Sequence, residues 1–159
     1  GTFEIGGGTE RTDYYLTAAY RESDGHRENA SGTVAGLSGR LGFDLGGAWT
    51  ASVYYEHTSS SVNDPGIVGA PMIPIVPNYD ISDDFLLTTL GHQHGPWSGA
   101  VKLYLEQGTY DWLQWSGSEG HAFNSVTDSR NYGLRWRETV SPWAGGELVF
   151  RMGPQPANQ

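Results

Sequence analysis

The sequence lacks cysteine altogether and is poor in charge. With no Cys among 159 residues, disulfide frameworks, thiolate metal sites and cysteine nucleophiles are excluded. Charged residues make up 17% of the chain, against about 25% in a typical soluble domain. Lys and Arg number 9 against 18 Asp and Glu, and the resulting net charge of -9 has the wrong sign for a phosphate-binding surface. We therefore expect no nucleic-acid partner.

Long apolar runs are also missing. No stretch approaches the roughly 20 apolar residues of a transmembrane helix, and no basic segment followed by an apolar core indicates a signal peptide. Hydrophobic residues reach only 37%, below the usual range of about 45–50%, which disfavours a helical bundle or a typical globular enzyme. The length of 159 residues suits one domain. Any role in a membrane must therefore use β-strands.

Glycine and aromatic residues are what the sequence has in excess. There are 23 Gly, and aromatic residues are 13% of the chain, interspersed with Thr and Val as in strands. Apolar and polar residues alternate with a period of two, so each strand has one apolar and one polar face. Eight strands are predicted on this basis, at residues 2–8, 14–21, 35–44, 49–56, 85–92, 97–106, 132–137 and 147–152. We expect a β-barrel segment over residues 1–153 and a C-terminal tail at 154–159.

The predicted connections alternate between short and long. Short turns fall near residues 9–12, 45–47, 93–96 and 141–145, and long polar connections cover residues 22–32, 59–84 and 108–130. In an antiparallel meander this puts all the short turns at one end, as in outer-membrane barrels. Membrane barrels also carry a girdle of aromatic residues at each end of the lipid-facing surface. The apolar face has such residues beside the short turns, at Tyr14, Trp49 and Trp97, and beside the long connections, at Tyr20, Tyr55 and Tyr132.

These patterns predict an all-β fold, an antiparallel transmembrane β-barrel of about eight meander strands. Its charged residues lie on the face opposite the apolar one, because an Arg or Lys in mid-bilayer would cost about 2–4 kcal/mol. The strands could be a segment of a larger barrel or close by themselves into a small one. A soluble carbohydrate-binding barrel, with the apolar face as its core, is the remaining alternative.

Residues 6–29, GGGTERTDYYLTAAYRESDGHREN, closely resemble the early barrel strands of TonB-dependent outer-membrane receptors. In that family a strand ends in a Gly-rich turn, and a Tyr-rich strand follows, leading to a loop of the form Ser-Asp-Gly-Tyr-Arg-Glu-Asn. Here His26 stands in place of the usual Tyr. Residues 41–44 and 131–143 also look like the family pattern. The resemblance covers nearly the whole chain, through motifs that are specific only when taken together.

The resemblance implies uptake of a scarce nutrient, such as a siderophore, cobalamin, haem or metal complex, across the outer membrane of a Gram-negative bacterium. Its implied partners are outer-membrane lipid, the small-molecule or metal-chelate ligand, and the TonB system acting through a plug domain. No plug sequence is found in the chain, so we expect a barrel segment. A self-contained eight-stranded pore or anchor is the alternative within the membrane.

The sequence offers little support for catalysis. Glu56 and His57 are adjacent on a predicted strand and therefore point to opposite faces, which prevents them from acting as an acid–base pair. His92 and His94 could chelate a metal ion from one face of a strand, but a third ligand is not evident. We therefore predict no enzyme activity, no cofactor and no metal site.

Ligand binding is predicted in the connection at residues 108–130 and in the lumen. That connection concentrates Tyr110, Trp112, Trp115 and His121, a set suited to holding a bulky ligand. These aromatic residues could equally pack the connections against one another. Inward-facing Arg135 and Arg137 could attract an anionic ligand. Alternatively, such arginines pair with the lumenal carboxylates, among them Glu56, Glu106 and Glu147.

Overall fold

The computed structural model describes residues 1–66, 76–116 and 121–153, and within these ranges the chain is all-β. The eight strands are β1 (Thr2–Gly8), β2 (Thr12–Ser23), β3 (Gly32–Gly46), β4 (Trp49–Asn63), β5 (Asn78–His94), β6 (Trp97–Ser116), β7 (His121–Trp143) and β8 (Gly146–Met152). None of the described residues belongs to a helix long and apolar enough to cross a membrane. The predicted tail at 154–159 lies outside the described residues.

The strands form one antiparallel meander sheet, in which each pairs with its neighbour in sequence from β1 to β8. The prediction of eight meander strands is thereby confirmed. The predicted short turns are confirmed as well, and the β3–β4 turn shows why the sequence there is Gly-rich. Gly46 and Gly47 have φ values of 80° and 60°, in the left-handed region that glycine enters without steric cost.

The sheet has two chemically different faces. Directly paired residues on antiparallel strands point to the same side, so the register assigns every side chain to a face. One row on the apolar face runs through Tyr14, Leu41, Val53, Thr88, Leu103 and Leu134. The next row on the polar face runs through Asp13, Gly42, Ser52, Thr89, Lys102 and Arg135. The alternation predicted from the sequence is therefore confirmed.

The sheet is open and has almost no core. Among the described residues, Val140 and Pro77 are the only buried apolar side chains, and β1 and β8 do not pair with each other. The accessible surface is 11392 Å², against about 7,800 Å² for a compact monomer of this mass. Closure of these eight strands into a small barrel is thus not observed, and the apolar face has no second layer of protein upon it in the described ranges.

The long connections are shorter than predicted. The connection predicted at 108–130 is mostly strand, because β6 continues to Ser116 and β7 begins at His121. The connection predicted at 59–84 is also shortened, since β4 continues to Asn63 and β5 begins at Asn78. These stretches lack the apolar alternation that predicts a strand, but Thr, Val, Tyr and Trp sustain the pairing through their β-propensity.

Candidate functional site

Four aromatic residues meet on the polar face where β5, β6 and β7 approach the long connections. The rings of Tyr79 and Trp112 are stacked, with centroids 5.7 Å apart and an interplanar angle of 16°. Tyr110 lies 6.1 Å from Tyr79, and Phe123 meets Trp112 edge-on at 6.5 Å. We call these four residues the aromatic cluster. Register explains the arrangement, because Tyr79 pairs directly with Trp112 and side chains two residues apart share a face.

The aromatic cluster offers ring faces together with phenol groups. Tyr79 and Tyr110 are half-buried, so part of each ring remains accessible from the polar face. Burial, followed by the negative charge of Asp64, raises the pKa of the Tyr79 phenol, which therefore stays protonated and able to donate a hydrogen bond. Stacking surfaces beside hydroxyl groups are suited to planar or ring-shaped ligands.

The four aromatic residues predicted for ligand binding do not share one surface. Tyr110 and Trp112 belong to the aromatic cluster, but Trp115 pairs with Ala122 on the apolar face. His121 begins β7 and is exposed. Tyr79 is not among the predicted residues, because residues 59–84 are predicted to be a connection. Tyr79 and Ile81 alternate with the polar residues Asn78, Asp80 and Ser82. This is the sequence signal that could have placed Tyr79 on one face of a strand.

Arg135 and Arg137 lie far from the aromatic cluster. Both are on the polar face of β7, but Arg135 is ten residues from Ser125, the pairing partner of Trp112. At about 3.3 Å per residue, this separation is about 33 Å along the strand. Arg137 lies 3.8 Å from a carboxylate oxygen of Glu147, and Arg135 lies over the ring of Tyr104 at 5.6 Å. Arg137 is thus within ion-pair distance of Glu147, one of the carboxylates that the sequence analysis considers as its partner.

A row of polar side chains marks one border of the apolar face. His57, Asp84, Gln107 and Arg130 follow each other across β4 to β7. The imidazole Nδ1 of His57 is 2.9 Å from Asp84 Oδ1, and Arg130 donates a hydrogen bond of 2.8 Å to Gln107. Next to this row, on the side of the short turns, lie Tyr55, Leu86, Leu105 and Tyr132. The apolar surface therefore ends where a row with tyrosine at β4 and β7 meets a hydrogen-bonded polar row.

A second border lies beside the short turns. Trp49 packs against His92, with ring centroids 5.0 Å apart, and His92 Nε2 is 3.1 Å from the Glu138 carboxylate. Glu138 and His92 are mostly buried and meet across Gly99, where a Cβ would collide with the carboxylate. We call His92 and Glu138 the short-turn pair. On β4 the two borders enclose Trp49 to His57, nine residues, which matches the roughly 9–11 residues of a transmembrane strand.

The adjacent residues Glu56 and His57 have different partners on the two faces of β4. Glu56 accepts a hydrogen bond from Tyr54 on the polar face, whereas His57 bonds Asp84 on the apolar face, as the sequence predicts for adjacent residues of a strand. In the three described ranges, no group of three or more His, Asp or Glu could hold a metal ion. A scan against protein-family models and a search of curated proteins found no match to the chain.

Proposed function

We propose that this sheet is part of the wall of an outer-membrane β-barrel that takes up a ligand, as in the TonB-dependent receptors that the sequence resembles. The observation that carries the proposal is the apolar face. It has no core above it in the described ranges, and it is bounded at both ends by aromatic and polar rows. A band of nine residues per strand with aromatic borders fits a bilayer.

The position of the charged residues on the polar face is a second argument that the opposite, apolar face contacts lipid. Lys102 and Arg135 lie at the same height as Leu103 and Leu134, but on the other face of the sheet. In a soluble sandwich the apolar face would pack on a second sheet, and aromatic residues would have no reason to gather at both ends of it. A bilayer gives that reason, because Trp and Tyr are favoured at both membrane interfaces.

The proposal requires that the free edges of β1 and β8 each form hydrogen bonds with another strand. Lipid cannot satisfy exposed N–H and C=O groups, so a sheet that spans a membrane must close. Because the eight strands do not close on one another in the described residues, the proposal favours a barrel with additional strands over an eight-stranded one. The polar face then lines its lumen.

The aromatic cluster supports ligand capture. It lies on the lumenal face and beyond the border formed by His57 and Asp84, outside the apolar band. In the proposed orientation the long connections are extracellular, so the cluster stands at the mouth of the lumen. Stacking on Trp112 and Tyr79 suits a planar chelate or a sugar ring. The proposed ligand class is therefore a bulky nutrient, such as a siderophore, cobalamin, haem or metal complex.

Lipid contact can be tested with single-tryptophan variants. One variant keeps only Trp136, which lies between Val101 and Met152 on the apolar face, and the other keeps only Trp112. The remaining tryptophans are replaced by Phe, and each variant is folded into vesicles whose acyl chains carry bromine. We expect strong quenching of the Trp136 fluorescence and little quenching of the Trp112 fluorescence. Equal quenching of the two, or none of Trp136, would contradict the proposal.

A further inference from the structure

Four basic side chains gather on the polar face near the short turns. They are Lys102 of β6, Arg135 and Arg137 of β7, and Arg151 of β8. We call them the basic cluster. The whole chain has only nine Lys and Arg and a net charge of -9, so this is a strong local excess of positive charge in an acidic protein.

Register holds these charges side by side. Lys102 pairs directly with Arg135, and Arg137 pairs directly with Arg151. Arg135 and Arg137 are two residues apart and share the polar face. All four side chains line a single cavity of about 840 Å³. Like charges directly opposite each other on neighbouring strands are destabilising, so this arrangement has a cost that something must offset.

The described neighbours offset only part of this charge. Glu147 is within reach of Arg137, at 3.8 Å, and more than half of each side chain is exposed. Glu138 lies on the apolar face and is bonded to His92. Arg40 lies elsewhere on the polar face. Its charge is offset, because its guanidinium forms an ion pair with the Asp13 carboxylate. Four cations with one nearby carboxylate leave a local charge of about +3 facing the cavity.

We propose that the basic cluster binds a small anion that carries two or more phosphate or carboxylate groups. Guanidinium groups bind both kinds of oxyanion through pairs of parallel hydrogen bonds, and three arginines beside one lysine can hold more than one such group at once. The cavity is large enough for a molecule of this kind. The site is separate from the aromatic cluster, which is about 33 Å away at about 3.3 Å per residue.

Calorimetry on the complete protein, folded in detergent, tests this proposal. Pyrophosphate and propane-1,2,3-tricarboxylate are the two probes, which separate phosphate from carboxylate recognition, and both are titrated at constant ionic strength. We expect at least one of them to bind. The double variant Arg135→Gln/Arg137→Gln should weaken that binding by about 100-fold, because each of the two lost charge-assisted hydrogen bonds contributes about one decade. The absence of binding for both probes would overturn the proposal.

Two further variants separate a specific site from general charge or misfolding. Arg21→Gln removes a positive charge from the polar face outside the cluster, and it should leave the affinity unchanged. Glu147→Gln removes the one nearby carboxylate and releases Arg137, so it should tighten binding several-fold. A gain in affinity cannot result from a folding defect. If Arg21→Gln weakens binding as much as the double variant, or if Glu147→Gln fails to tighten it, the proposal is wrong.

Discussion

A charge placed on each face of β4 gives the sharpest test of the two-faced sheet. Val53 is the middle residue of the segment from Trp49 to His57, and it lies on the apolar face between Leu41 and Thr88. Ser52 is its immediate neighbour and lies on the polar face. The substitutions Val53→Arg and Ser52→Arg therefore introduce the same side chain at nearly the same height, on opposite sides of the sheet.

The expected difference between the two variants follows from their surroundings. Arginine at the midplane of the lipid-facing surface destabilises a membrane barrel by about 2–4 kcal/mol, equal to about 30-fold to 900-fold in the folding equilibrium. At Ser52 the new guanidinium faces Gly42, and the Asp13 carboxylate lies directly over that glycine. An exposed ion pair contributes at most about 1 kcal/mol, so Ser52→Arg should change the free energy of unfolding by less than that amount.

The assay is folding from urea into lipid vesicles, with the folded fraction read from heat-modifiable gel mobility. Val53→Arg should shift the urea midpoint strongly downward, and Ser52→Arg should leave it close to that of the unmodified protein. A third variant, Val53→Thr, keeps the shape of the side chain and should fall between the two. Equal losses for the two arginine variants would refute the assignment of lipid to the apolar face.

Three further outcomes are expected. If one member of a panel of ferric chelates, cobalamin, haem and oligosaccharides binds the protein, Trp112→Ala should weaken it about thirtyfold and Trp115→Ala should not, as calorimetry would show. Gly99→Ala should separate the short-turn pair, His92 and Glu138, and lower the free energy of unfolding by about 1–3 kcal/mol in urea titrations. Asp64→Asn should remove only part of the rise in the pKa of Tyr79, because burial raises that pKa more than the charge of Asp64 does. A pH titration followed by ultraviolet absorbance of the phenolate would measure the change.

Much of the fold could be predicted because a strand records its two faces directly in sequence. The alternation of Leu41 and Phe43 with Arg40, Gly42 and Asp44 needs no tertiary information, and the register confirms it. The short turns were equally accessible, because left-handed backbone at Gly46 and Gly47 calls for glycine. Short loops between alternating strands then imply an antiparallel meander.

The candidate site was less accessible, because its residues belong to strand extensions that lack an apolar face. Beyond the polar border the few aliphatic residues, such as Ile81, Leu113 and Val126, are scattered over both faces of β5 to β7, so regular alternation of hydrophobicity disappears while pairing continues. Trp112 and Trp115 look equivalent in the sequence, yet their separation of three residues puts them on opposite faces. Tyr79 joins the aromatic cluster only through its pairing with Trp112, a contact between residues far apart in sequence.

The glycine content has a second explanation in the packing of large side chains across the sheet. Tyr104 lies over Gly133 on the polar face, where a Cβ would be 2.5 Å from the tyrosine oxygen. Gly7 gives similar room to Tyr14 on the apolar face, with 2.9 Å between such a Cβ and the phenol oxygen. Aromatic rings that cover strand glycines restore the contact that the missing side chain would have made. At Gly133 and Gly7, glycine within a strand therefore gives room to a large side chain on the adjacent strand.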